Sequence, residues 1–289
     1  MLLIGMSTLS TGLLLGAIFS LVACGVTIVY GSIWLPNASN GQMFLLSGLG
    51  CWSLTTYLGM PPALAAICVL LAAVPAAWLL EIALIRRFYD VPDRNVAYFV
   101  LTLGLTQILT GLFSITYGRW SDQFSLPPVI RGVTFFGPFP MANNRLLVLA
   151  IGFGLIAALF ALLRLHPYGR ALRAVFQNRE AAALRGVNVR VVYSLSFVLG
   201  TLVILTGGIL FAMAYSFDLT SAWTMSVTAF AIMIVGGPGS VLGAFVVGMV
   251  FGFTQALVNI VASPTVATFS YLLVMLVILL VKPSGLFAR

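Results

Sequence analysis

Acidic residues are scarce in this chain: six Asp and Glu against fourteen Lys and Arg in 289 residues, with a single histidine. Charged side chains make up 7% of the whole, where a soluble domain carries about a quarter. That excludes a water-soluble globular domain. No series of Asp, Glu and His crosses the apolar segments, which argues against proton- or sodium-driven transport. Cys24, Cys51 and Cys68 each fall inside an apolar run and read as small buried thiols, not as a disulfide framework or metal site. A phosphate-cradling G-x-x-x-x-G-K-[ST] loop, a nucleophile constellation and metal-ligand spacing are all missing. Any energy source must therefore lie on another polypeptide. The N-terminus lacks the basic region of a cleavable signal, so the first apolar run is expected to be retained as a span.

What the chain has in abundance is apolar sequence, 61% of its residues. Long segments with few charges must cross a bilayer as helices, because a helix satisfies its own backbone without water. The expected fold is all-α: a polytopic transmembrane helix bundle forming one domain over 1–289. The runs are Leu9 to Ile33, Phe44 to Leu58, Pro61 to Ile85, Val96 to Thr116, Arg145 to Leu163, Val191 to Ala214, Trp223 to Val235, Val241 to Val261 and Val266 to Val281. That gives eight or nine spans, depending on whether two uncharged breaks are turns or re-entrant loops. Gly12 with Gly16, and Gly248 with Gly252, stand at the small-xxx-small spacing of close helix contacts. Glu81 is expected to snorkel toward Arg86, one turn on.

The net charge of +8 does not point to nucleic acid, because the arginines cluster at segment ends, where topology and anionic lipid headgroups want them. Among the fourteen Lys and Arg, Arg119, Arg131 and Arg145 alone fall outside regions assigned to the cytoplasm. Those regions include the short loop with Asp90, Asp93 and Arg94, and the C-terminus. The interval 117–144, with Trp120, Phe135 and Phe136, reads as an external loop.

The densest charge lies in the loop 164–190. Arg164, Arg170, Arg173, Arg179, Arg185 and Arg190 stand there against one acid, Glu180, and such an excess marks the cytoplasmic side. Gly169 to Phe176 and Arg179 to Arg185 are rich in helix formers. Asn178 sits where an N-cap belongs and Gly186 where a C-terminal stop belongs. The loop reads as two short helices presented to something. His166 reads as an interfacial residue of that loop.

Two breaks interrupt apolar runs, Pro36 to Gln42 and Gly236 to Ser240, one in each half of the chain. Irregular backbone at membrane depth survives only when buried in protein or lining a wet cavity, so such breaks point to a transport pathway. Both can also be tight turns at a surface. Asn37, Asn40 and Gln42 favour the pathway for the first break, since amides in apolar surroundings need partners. Thr102, Thr106, Thr110 and Ser114 recur every four residues, with Gln107 beside them, and lie along one helix face. They are either pathway hydroxyls or groups bonded back to their own helix. Thr254, Gln255 and Asn259 form a weaker group of the same kind.

Glu180-Ala181-Ala182 followed after three residues by Gly186 matches the EAA-x-x-x-G loop of bacterial ABC importer permeases. The lead-in Tyr168-Gly169-Arg170-Ala171-Leu172-Arg173-Ala174 and the tail Lys282-Pro283-Ser284-Gly285-Leu286-Phe287 resemble the branched-chain amino-acid permease family (LivH-type), and the similarity spans the whole chain. The resemblance implies a permease of the bacterial inner membrane, with its C-terminus in the cytoplasm. Its coupling helix would seat in an ATPase groove, with Tyr168, Gly169, Arg170, Arg173, Glu180, Ala181, Ala182 and Gly186 as ATPase-coupling residues. It further implies two cytoplasmic ATPase subunits holding ATP and Mg, no cofactor on this chain, a second homologous permease in a heterodimer, and an external solute-binding protein. The family's first break usually reads N-F-A-H-G and then an acid. Here Asn37 and Gly41 match, but Asn40 stands for the histidine and Gln42 for the acid. The cargo by default is a branched-chain or other hydrophobic amino acid. Urea, a short amide or an organic acid is the alternative, and a self-sufficient carrier or facilitator is the competing function.

Overall fold

The structure, a computed structural model, describes residues 2–89, 94–118, 122–136, 139–283 and 285–287. The expectations placed on Asp90, Asp93, Arg119, Trp120 and Ser284, and on the side chains of Arg94 and Phe136, lie outside what it describes. Helix α1 (Leu2–Ile33) is the axis of the bundle. It is apolar on every face, as a helix walled in by protein must be, and nearly all of its membrane-length stretch is buried. Around it stand α2 (Asn40–Leu58), α3 (Pro62–Leu80), α4 (Arg94–Tyr117), α5 (Asn143–Leu165), α8 (Val189–Ala214), α9 (Ser221–Gly236), α10 (Val241–Val261) and α11 (Pro264–Val281). Among the described residues, six helices are long and apolar enough to cross a membrane by length and composition: α1, α3 with its extension to Phe88, α4, α5, α8 and α10. The segments Ser221–Gly236 and Val266–Val281 are shorter apolar helices.

Small residues set the packing. Along the antiparallel α1–α10 pair, Gly12 faces Phe253, Gly16 faces Met249, and a side chain at Gly252 would press into Gly16. Ser20 Oγ crosses the same seam to donate to Phe245 O at 2.8 Å. Lipid offers little hydrophobic drive for helix association, so close backbone approach and interhelical hydrogen bonds must supply it. Gly208 of α8 plays the same part for α2: its missing side chain leaves room for Phe44 and Ser47, and Ser47 Oγ donates to Leu205 O at 2.7 Å.

Two features differ from expectation. The interval 117–144 contains an antiparallel hairpin, β1 (Val133–Phe136) and β2 (Phe139–Ala142), in the register Val133 opposite Ala142. Beside it, Phe124 and Phe217 exchange backbone hydrogen bonds of 2.7 and 2.9 Å, and Trp52 packs on Phe124 with ring centroids 4.9 Å apart. An aromatic lid thus closes this end of an otherwise helical bundle. The second correction concerns Glu81. α3 ends in a π turn, Glu81–Ile85, and a 3-10 turn, Arg86–Phe88. Glu81 is completely buried. Its Oε1 accepts from Tyr89 Oη at 2.8 Å and from Ser194 Oγ of α8 at 2.7 Å, and among the described residues no ion pair joins it to Arg86. Two hydroxyl donors inside the bundle hold the carboxylate that was expected to reach the surface.

Candidate functional site

The first break is the place where the bundle interior turns polar. α1 stops at Ile33, and Trp34 adopts a left-handed backbone (φ 58°), a conformation that favours glycine. Asn37 folds the segment over: its Oδ1 accepts from Ser39 N at 3.0 Å and Ser39 Oγ at 2.7 Å. Ala38 is held from both sides. Its N–H donates to Thr102 Oγ1 of α4 at 3.2 Å, and its carbonyl accepts from Ser226 Oγ of α9 at 3.2 Å. Gly41 N–H also donates to Ser226 Oγ, at 3.2 Å. Any side chain at Gly41 would meet the Ala222 backbone, with Ala222 C 2.8 Å away, so glycine is what lets α2 begin against α9.

This segment lies inside the bundle, not at its surface. Ser226 is ten residues before the end of α9 and Thr102 eight after the start of α4, about 15 and 12 Å along those helices at 1.5 Å per residue. α2 therefore starts at depth. Its N-cap residue, Ser39, makes no side-chain cap hydrogen bond. Gly41 and Met43 have partners for their N–H groups; those of Asn40 and Gln42 have none among the described residues. Gln42 donates through Nε2 to Thr110 Oγ1 at 3.3 Å, while its Oε1 is buried with no partner. Asn37, Asn40 and Gln42 are 4%, 3% and 3% exposed.

The threonine face of α4 divides. Thr102 Oγ1 donates back to Phe99 O and Thr106 Oγ1 to Thr102 O, the ordinary fate of hydroxyls in membrane helices. Thr102 and Thr110 nevertheless also touch the break. Gln107 does not join them; it lies on the exposed side of α4, between Gly104 and Gly111. The group on α10 is looser: Thr254 bonds back to Val250 O, Asn259 is exposed and Gln255 Oε1 is buried without a partner.

At the opposite pole of function is the arginine-rich loop, which folds into α6 (Pro167–Gln177) and α7 (Arg179–Leu184). His166 Nδ1 caps α6 by accepting from Tyr168 N at 3.2 Å. α6 is strongly amphipathic and turns Gly169, Leu172 and Val175 inward. Gly169 is forced by closeness: an added Cβ would stand 2.5 Å from Leu162 O at the end of α5. Arg173 Nη1 donates to Leu163 O, and Tyr168 Oη shares a 2.9 Å hydrogen bond with Ser196 Oγ of α8. Burial pushes the Tyr168 hydroxyl up to about 12, an effect that the Ser196 bond opposes, so the phenol stays neutral. Tyr168, Gly169 and Arg173 thus fasten α6 to α5 and α8. Asn178 Oδ1 caps α7, accepting from Glu180 N and Ala181 N at 3.0 Å each. Gly186, at φ 83°, ends it, with Val187 N bonded to Ala182 O at 3.1 Å and Gly186 N to Ala183 O at 2.9 Å, a Schellman stop. Ala182 is buried, whereas Arg170, Arg179, Glu180, Ala181, Arg185 and Gly186 are exposed, and Leu184 is 90% exposed.

The second break, 236–240, is a tight turn between α9 and α10 at this same end. Gly239 lies against Gly31 of α1 and Phe176 of α6. The C-terminal tail folds onto it: Leu286 N donates to Val235 O at 2.7 Å and Phe287 N to Gly236 O at 3.2 Å, satisfying carbonyls that the end of α9 leaves open. Also at this end, a cavity of about 290 Å³ is lined by Ile82, Arg86, Arg87, Tyr89 and Arg190; none of the first break's residues borders it. Ser194, Ser196 and Ser226 were not singled out from sequence. Each is a single hydroxyl in an apolar run, a pattern that carries no signal until the partner helix is known.

Known proteins are similar to this chain over nearly its whole length. A high-affinity branched-chain amino acid transport system permease protein, LivH, of Salmonella typhimurium is 25% identical over 96% of this chain and 94% of its own. The corresponding BraD protein of Pseudomonas aeruginosa is 24% identical over 97% and 95%. Among solved structures, PsaBC from Streptococcus pneumoniae in complex with Fab superposes with a TM-score of 0.51 at 16% identity, covering 96% of this chain and 92% of that one, a likeness of fold. The family model described as branched-chain amino acid transport system / permease component matches residues 8–281. With that match over nearly its whole length, the chain belongs to the branched-chain amino acid transport system permease family and is an integral membrane transport component.

Proposed function

We propose that the chain is the membrane subunit of an ATP-binding-cassette importer, carrying a small polar or amphipathic solute into the cell on energy supplied by separate ATPase subunits. The observation that carries this is the α6–α7 pair. It is fastened to α5 and α8 by Gly169, Arg173 and Tyr168, yet turns Arg170, Arg179, Glu180 and Leu184 outward. A rigidly attached pair of helices with an exposed mixed charged and apolar face is built to take a push from a neighbour. The end bearing α6, α7 and the C-terminus faces the cytoplasm by its arginine excess. With the six longer helices, α2, α9 and α11 make nine membrane segments, α2 entering from the break at depth.

In this reading two ATPase subunits, holding ATP and Mg, close beneath the loop. α6 transmits the displacement to α5 and α8, and the bundle rocks between outward- and inward-facing packings. Catalysis of hydrolysis belongs to the partners, and this chain carries no cofactor. A second homologous permease supplies the other half of the pathway, and an external solute-binding protein delivers a branched-chain or other hydrophobic amino acid, branched-chain amino acids being the cargo in the names of LivH and BraD. The discriminating experiment is uptake into proteoliposomes. The assembled complex moves solute in proportion to ATP hydrolysed, and the chain alone moves none; unaided flux would establish the facilitator instead.

A further inference from the structure

We propose that the cavity between the end of α3 and the start of α8 holds the phosphate of an anionic phospholipid, whose acyl chains lie on the outer face of α3. Arg86, Arg87 and Arg190 receive the phosphate oxygens. This goes beyond the transport reading and does not depend on it.

Each of these arginines stands at the boundary of a membrane-length segment. Arg86 and Arg87 close the segment Pro62–Phe88, and Arg190 opens Val189–Ala214. All three line one cavity of about 290 Å³, together with Ile82 and Tyr89. The π turn Glu81–Ile85 explains why Ile82, Arg86 and Arg87 share a wall. An α-helix advances about 100° per residue, which would leave Arg87 about 140° around from Ile82. A π turn is bonded over five residues and brings such pairs toward one face; here Arg86 N–H bonds to Glu81 O. The wall is also braced. Tyr89 Oη and Ser194 Oγ of α8 both donate to Glu81 Oε1, and the Tyr89 ring stands edge-on to Tyr193 at 5.0 Å.

Three arginines around one cavity repel one another until an anion joins them. Among the described residues neither Arg86 nor Arg87 makes an ion pair. Glu81, buried behind the turn, offsets one positive charge at most and leaves the cavity cationic. The planar guanidinium fork matches phosphate oxygens, and basic pockets between membrane helices at the cytoplasmic side suit phospholipid headgroups. What selects a lipid over free phosphate is the apolar surface that continues from the cavity. Leu71, Val74, Trp78 and Ile82 recur at helical spacing and are all exposed, so they form one outward stripe. Eleven residues of helix span about 16 Å, close to one leaflet's half of a hydrocarbon core about 30 Å thick. Free phosphate makes no use of such a stripe, whereas acyl chains cover it.

The test is native mass spectrometry of the full chain in neutral detergent, offered dioleoyl-phosphatidylglycerol and dioleoyl-phosphatidylcholine in equal amounts. Retention of one phosphatidylglycerol per chain, in preference to phosphatidylcholine, is expected. Inorganic phosphate, added in a separate arm, is expected not to displace it. The double variant Arg86→Gln, Arg87→Gln should weaken phosphatidylglycerol about tenfold or more. Replacing both by lysine keeps the charges without the forks and should give a smaller loss. Arg185→Gln, exposed at the same end but outside the cavity, should retain the lipid as the unaltered chain does. Equal retention of the two lipids by the unaltered chain overturns the proposal, as does full retention in the double glutamine variant. An equal loss in Arg185→Gln would mean a diffuse basic surface, and displacement by phosphate a site for the free ion; either result overturns it too.

Discussion

Gly169→Ala is the smallest change that separates the α6–α7 pair from the bundle. The new methyl carbon would sit 2.5 Å from Leu162 O and 2.6 Å from Leu163 C, both backbone atoms, where an ordinary contact needs roughly 3.5–4 Å. No side-chain rotation relieves it, so α6 must lift away from α5 by about 1 Å. Overpacking of this kind costs about 1–3 kcal/mol. The lift also strains the Arg173 bond to Leu163 O and the Tyr168–Ser196 bond, each worth about 0.5–1.5 kcal/mol. Since about 1.4 kcal/mol is tenfold in an equilibrium, undocking of α6 should become at least ten times more frequent. Amide hydrogen exchange reads it directly: the α6 amides exchange about tenfold faster or more, while α1 and α10 stay unchanged. Gly154→Ala is the control, because nothing stands within 4 Å of a side chain there; it should be neutral or slightly stabilising, as alanine favours helix over glycine. In the assembled importer Gly169→Ala lowers solute moved per ATP. Unchanged α6 exchange, or a matching loss in Gly154→Ala, would refute the reasoning.

Other substitutions probe other joints. Gly252→Val drives a branched side chain into the backbone of Gly16 and should lower the thermal unfolding midpoint in detergent well beyond Gly154→Ala; equal midpoints would contradict the α1–α10 seam. Glu81→Ala leaves the Tyr89 and Ser194 hydroxyls without their shared acceptor and should destabilise by about 1–3 kcal/mol, whereas Glu81→Gln, which keeps an acceptor oxygen, should cost less; the reverse order would count against the hydroxyl clasp. Removing residues 285–287 opens the Val235 and Gly236 carbonyls and should speed hydrogen exchange at the α9–α10 turn, with unchanged exchange arguing that the tail is idle.

What could be read from sequence was mostly local. The Asn178 cap and the Gly186 stop depend on neighbours within a few residues, and both appear where their chemistry puts them. Gly12, Gly16, Gly248 and Gly252 announced close helix contacts by spacing, although only the fold shows their partners: Gly252 meets Gly16, Gly248 meets Ser20 and Gly12 faces Phe253. Long-range partners were not legible. Glu81 has Arg86 one turn away in sequence, yet its donors come from Tyr89 and from Ser194 on α8. The EAA-x-x-x-G motif and its lead-in named their residues without saying which way they point: Tyr168, Gly169 and Arg173 face the bundle, while Arg170 and Glu180 face outward. Gln107 matched the threonines in sequence proximity, but a helix turns about 100° per residue and places it on another face. The hairpin at 133–142 carried no strong alternation to betray it.

The most direct test of the central claim is a photo-reactive cross-linker placed at position 184, where Leu184 is 90% exposed on α7, in membranes containing the complete importer. An adduct with the mass of an ATPase subunit, absent when the same group is placed at Leu257 on α10, is the predicted result. A reagent confined to the external face that labels position 184, or an assembled complex in which that position yields no ATPase adduct, would contradict it.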